Sequence, residues 1–184
     1  MSGTVGDNTA RASGVIASAS GGTILSVKSL KVTAVGSNTG TTPTQLSQFD
    51  MSFAPTTSDG KLYFQAWVSV CTSTSGTSST FHFYDVTNTT IIGAYADSVG
   101  SRLISSWGTE NENAAYMQNT SFGCWHVPGT TSSIDYTIFG NANTTNTLYI
   151  NRSGDYGDSA SINNASTAST FTITEYAADT VTLT

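Results

Sequence analysis

Apolar residues along this chain recur at every second position. The clearest run is LYFQAWVSVC (62–71), where Leu62, Phe64, Ala66, Val68 and Val70 share one face and Tyr63, Gln65, Trp67, Ser69 and Cys71 the other. QFDMSF repeats the pattern, with Phe49, Met51 and Phe53 opposite Asp50 and Ser52. FHFYDV, the turn TNTT and IIGAYA (81–96) predict a hairpin, and a second hairpin-like region follows around Arg102–Trp107. CWHV (124–127), IDYTIF (134–139), TLYINR (147–152) and TFTITEY (171–177) predict further strands, and TVTLT (180–184) an edge strand. In TILSVKSLKVTAV (23–35), Leu25 and Val27 are out of phase with Leu30, Val32 and Ala34, which predicts a bulge or bend between the two groups.

Polar stretches separate these runs. Residues 36–44, 54–61 and 72–80 read as loops, the second with an Asp-Gly turn, and SGDYGDSASINNASTAS reads as a long polar insertion between the last two strands. ENENAAYMQ (110–118) is the one stretch able to form a helical turn, and it reads equally as a loop leading into a strand. No sequence repeat of fixed period points to a solenoid or propeller. About eight to ten short strands without a useful helix predict an all-β fold: an antiparallel β-sandwich of jelly-roll type. Residues 1–14 are polar and irregular and read as an N-terminal arm; residues 15–184 read as a single sandwich domain.

Composition sharpens this picture. Charged residues make up 10% of the chain and Ser plus Thr roughly a third. Ser, Thr and Asn favour strands, turns and caps over helix interiors, and 10% aromatic content argues against disorder. The net charge is −6, and the six bases, Arg11, Lys28, Lys31, Lys61, Arg102 and Arg152, are scattered. No basic patch is there to neutralise a phosphate backbone or an anionic membrane surface, so neither nucleic acid nor membrane is an expected partner. No apolar run reaches transmembrane length, and the first residues lack the basic and apolar regions of a secretory signal. Cys71 and Cys124, far apart and without metal-type spacing, read as buried free thiols.

Candidate chemistry is sparse. His82 lies between Phe81 and Phe83, and His126 follows Trp125; neither has a nucleophile-type context, so both read as structural or surface residues. Asp59, Asp135, Asp155, Asp158 and Glu175 could in principle supply a glycosidase pair, but no spacing singles out two of them. NRSGDYGD lacks the dense ligands of a calcium loop and reads as a solvated turn. No catalytic residue, cofactor or metal is expected. Trp67, Trp107, Trp125, Tyr63, Tyr84, Tyr95 and Tyr116 are the aromatics able to line a subunit interface or stack on a sugar.

Three ordered segments carry a resemblance. GDNTARASGVIAS leads into GGTILSVKSLKVT; FDMSFAPTTSDGKLYFQAWVSV leads into FHFYDVTNTTIIG; TLYINRSG leads, after a polar loop, into STFTITEYA. This order resembles a family of bacteriophage virion surface proteins, tail-fibre-like or capsid-decorating, whose members carry a YINRS strand and a last strand ending in an acidic residue, here Glu175. The stretch GKLYFQAWVSV is also similar to the strand that starts the central hairpin of trimeric tumour necrosis factor and complement-head jelly rolls. The resemblance implies a homotrimer on a virion, made in the host cytoplasm.

The expected role is a capsid decoration or cement protein, bound to itself and to a major capsid or other virion protein. The alternative is the receptor-binding tip of a tail or capsid fibre that holds host surface glycan. Strand 62–71 is apolar or aromatic on both faces, so Tyr63 and Trp67 are the expected trimer contacts. Arg11, Val15 and Ile16 are the expected anchor of the arm to the virion.

Overall fold

The computed structural model describes residues 23–93, 105–143, 145–154 and 166–179. These residues form twelve strands, no α-helix and a single 3-10 turn, Ser47–Phe49. The strands are β1 (Ile24–Val32), β2 (Gly36–Thr39), β3 (Thr44–Gln45), β4 (Met51–Phe53), β5 (Lys61–Thr72), β6 (Thr77–Asp85), β7 (Thr90–Ile92), β8 (Trp107–Asn111), β9 (Gln118–His126), β10 (Ile134–Ala142), β11 (Thr147–Ile150) and β12 (Ser169–Tyr176).

Several short strands are halves of one interrupted strand. β1 and β2 pair successively along β12 and β11, and β12 and β11 pair successively along one side of β5. β3 and β4 lie end to end along β10, and β7 and β8 end to end along β6. Merging the halves leaves eight strand lines in two antiparallel sheets. Numbered along the chain, their spatial orders are 1-8-3-6 (β1/β2, β11/β12, β5, β9) and 2-7-4-5 (β3/β4, β10, β6, β7/β8). That order is the jelly roll, so strand pairing itself establishes the predicted fold class.

One hydrophobic core fills the space between the sheets. Leu62, Phe64, Ala66, Val68 and Val70 point into it without exposure, as their alternation predicts. Phe81 and Phe83 of β6, Tyr136 and Ile138 of β10, and Phe171 and Ile173 of β12 meet them. Trp107 stacks between Phe81 at 5.3 Å and Phe122 at 5.3 Å and is therefore a core residue, not an interface residue. Fully burying each large apolar side chain stabilises the fold by about 1.5–3 kcal/mol. Both cysteines are free and buried, as read from the sequence.

The structure departs from the sequence reading at several points. The bulge in β1 falls between Ile24 and Ser26, not between Val27 and Leu30. Val27 simply faces outward, opposite Thr174, and is 57% exposed. Segment 36–44 is not all loop, because Gly36–Thr39 and Thr44–Gln45 are edge strands. β6 begins at Thr77, inside the stretch read as a loop, and Gly76 makes the turn before it with φ +70°. Stretch 110–118 forms no helical turn: it spans the end of β8, a loop at 112–117 and the first residue of β9, the loop held by backbone Asn113 donating to Asn111 Oδ1 at 3.0 Å. Phe49 is buried as expected, but it belongs to the 3-10 turn and not to a strand. The arm 1–14, residues 180–184, most of the insertion and residues 102–104 of the second hairpin-like region lie outside the described residues; the end of that region, Trp107, opens β8.

Candidate interaction face

A sandwich buries one face of each sheet, so the outward faces are the ones open to a partner. On sheet β1-β12-β5-β9 the outward positions are Lys61, Tyr63, Gln65 and Trp67 on β5, Ser121, Gly123 and Trp125 on β9, and Thr170, Thr172, Thr174 and Tyr176 on β12. Pairing sets Tyr63 directly opposite Trp125, with ring centroids 4.8 Å apart. Trp125 reaches on to Tyr176, edge to face at 5.2 Å. Gly123 permits this arrangement: a Cβ there would collide with the Tyr63 hydroxyl, so the Tyr63 ring lies down across the strand.

Tyr63, Trp125 and Tyr176 thus form a half-buried aromatic strip across three strands. Trp67 stands apart on the same face, opposite Ser121 and Thr170, and is 54% exposed. The strip is flanked by hydroxyl and amide groups, including a Ser29 Oγ–Thr172 Oγ1 hydrogen bond of 2.8 Å. Tyr63 and Trp67, singled out from the sequence as interface residues, do share one outward face. Tyr176 was missed, because only strand pairing places it beside Trp125. Arg11, Val15 and Ile16 lie outside the described residues.

The residues that marked the resemblance have structural jobs. Asn151, in the YINRS stretch, is buried and sits in the left-handed region at φ 58°. Its Nδ2 donates to the carbonyls of Val32 and Ala34, each at 2.9 Å, and its Oδ1 accepts from Ser169 Oγ at 2.6 Å. It stitches together the gaps between β1 and β2 and between β11 and β12. Arg152 lies over the Tyr149 ring at 4.1 Å. Glu175 is fully buried and accepts from Thr56 N, Thr56 Oγ1, Thr57 N and Ser26 Oγ at 2.7–3.1 Å. Burial pushes its pKa up, but these donors outweigh burial and hold it below the usual carboxylate range.

Among the described residues the candidate catalytic groups do not assemble into a site; Asp155 and Asp158 lie outside them. Glu175 is committed to its four donors and holds loop 54–60 to β12. His82 and His126 are on different sheets, and burial lowers the pKa of each, to about 4 for His82. A nearby Asp85 partly opposes that shift at His126. Cys124 shares a strand face with His126, but burial pushes its thiol up to about 12, so it carries no thiolate at neutral pH. Among the described residues no three His, Cys, Asp or Glu side chains group as metal ligands, and no helix is long and apolar enough to cross a membrane.

No family model matches the chain, and no curated protein does. Among solved structures, it is similar to the VP2 subviral particle of infectious bursal disease virus, with TM-score 0.42 and 10% identity over 82% of this chain and 41% of that one. The Gx strain of the same virus gives TM-score 0.43 and 11% identity over 82% of this chain and 36% of that one. The chain thus spans less than half the length of these proteins.

Proposed function

We propose that this protein is a virion structural protein, a homotrimeric decoration or cement protein on a bacteriophage capsid, and not an enzyme. The observation that carries the assembly reading is the aromatic strip Tyr63–Trp125–Tyr176 with open Trp67 beside it. The inward face of that sheet already fills the core, so a lone protomer leaves the strip and Trp67 in water. A face rich in aromatics and poor in charge is the composition of an interface centre. Packing a second and third copy there removes it from water. Three copies, and a place on a virion, rest on the resemblance of the ordered segments to phage surface proteins and trimeric jelly rolls. The anchor to the particle is assigned to the arm, residues 1–14, with Arg11, Val15 and Ile16.

The alternative, a receptor-binding fibre tip, differs in position. Density for this chain in a reconstruction of the particle distinguishes the two. Density at threefold sites of the capsid lattice supports decoration; density only at the distal end of a tail or fibre overturns it. Deleting residues 2–13 is expected to leave a folded trimer that no longer joins particles.

A further inference from the structure

The opposite outward face, on sheet β3-β10-β6-β7, carries a second set of groups that the assembly reading does not use. Along β10 the outward residues are Asp135, Thr137, Phe139 and Asn141. Phe139 packs on Tyr84 at 4.3 Å and stacks on His82 at 5.5 Å and 18°. On the same face is a surface hollow of about 290 Å³, lined among others by Gln45, Asp50, Ser52 and Asp135; the half-buried Tyr84 and Phe139 lie outside its lining. Register joins hollow and rings: Gln45 lies opposite Phe139, and Thr137, opposite Tyr84, donates to Asp50 Oδ1 at 2.7 Å.

The polar groups are prepared for a ligand that donates hydrogen bonds. Asp50 Oδ1 also accepts from Gln45 Nε2 at 2.9 Å, and Asp135 Oδ1 accepts from Ser52 Oγ. These bonds fix both carboxylates, while neither Oδ2 receives a side-chain or backbone donor among the described residues. No Lys or Arg among the described residues lines the hollow. His82 adds no positive charge at neutral pH, since burial keeps it unprotonated.

We propose that this face is a glycan-binding site, in which a neutral sugar ring stacks on Tyr84 and Phe139 and its hydroxyls donate to Asp50 and Asp135. Oriented acceptors beside an aromatic pair match a ligand with apolar C–H faces and many hydroxyl donors. A peptide guanidinium answers the carboxylates and stacks on the rings as well, so an arginine-containing peptide is the competing occupant, and its binding here in place of every sugar overturns the proposal. A divalent cation leaves the rings unused. The inference goes beyond the structural role above and stands without it, since a monomer and a trimer built on the other sheet both leave this face open.

The test is amide-resolved NMR titration of the full chain with soluble oligosaccharides of glucose, galactose, mannose and N-acetylglucosamine, with calcium chloride alone as a separate arm. At least one sugar is expected to shift the amides of residues 45–52, 84 and 135–139. Asp50→Asn and Asp135→Asn keep the shape but turn an acceptor into a donor; each is expected to weaken that sugar about tenfold. Tyr84→Ala weakens it similarly, and Trp67→Ala leaves it unchanged. The proposal is overturned if no sugar in the set shifts these amides, or if the shifts centre on Trp67 and Trp125. It is equally overturned if calcium alone moves Asp50 and Asp135 while sugars do not, or if binding survives both Asn variants.

Discussion

Asn151 ties the interrupted strands together, and Glu175 ties loop 54–60 to β12. Asn tolerates the left-handed backbone better than most residues, and its amide meets three partners where two strands break. Asn151→Ala removes all three bonds and keeps the unfavourable φ, so a loss of about 2–4 kcal/mol is expected in urea unfolding. Glu175 gives a pH signature. Its folded pKa lies below the unfolded value of about 4.3, so its contribution is complete above that pH and is lost as pH falls through the folded value. Glu175→Gln is therefore expected to lower stability at neutral pH by about 1–3 kcal/mol and to flatten the acid limb of the stability curve. His82 acts over a higher window. It is 4% exposed, and its pKa of about 4 lies below the unfolded 6.5, so stability is full above pH 6.5 and declines as pH falls towards 4. His82 contributes about 3 kcal/mol of that decline, and His82→Phe is expected to shrink it to the part left by His126, whose pKa burial also lowers, measured by unfolding at a series of pH values.

At the scale of elements, legibility followed burial. β5 was readable because its inward positions are all apolar and enter one core. β10 and β12 were readable for the same reason, although β10 runs on through Gly140–Ala142, beyond its apolar pattern. β2, with sequence GSNT, sits at a sheet edge and is held by backbone pairing to β11, so its side chains carry no alternation. The first half of β9, Gln118–Ser121, was likewise silent: its polar side chains leave the pairing with β5 to the backbone. The candidate face was half legible. Tyr63 and Trp67 share a strand, whereas their neighbours Trp125 and Tyr176 come from strands about 60 and 110 residues away in sequence and join only through register. Gly123 is the hinge of that register. In Gly123→Ala the new methyl displaces the free end of Tyr63, not the backbone, so folding is expected to change by under about 1 kcal/mol. Assembly is expected to loosen in the same variant, read as a higher dissociation concentration in sedimentation equilibrium.

At the scale of the whole molecule, the proposed functions divide between the two sheets. On that proposal one outward face, with its aromatic strip and open Trp67, takes neighbouring copies, and the other, with its carboxylates and ring pair, takes a small polar ligand. The low charge, 10% of residues, leaves little like-charge repulsion to keep copies apart. The most direct measurement of the central claim is the mass in solution by light scattering, at micromolar concentration, of the native chain and of the Trp67→Ser/Trp125→Ser variant. The native chain is expected at three times 19.2 kDa, and the folded variant at the mass of a single protomer. A native chain that stays at 19.2 kDa, or a variant that remains trimeric, contradicts assembly through this face.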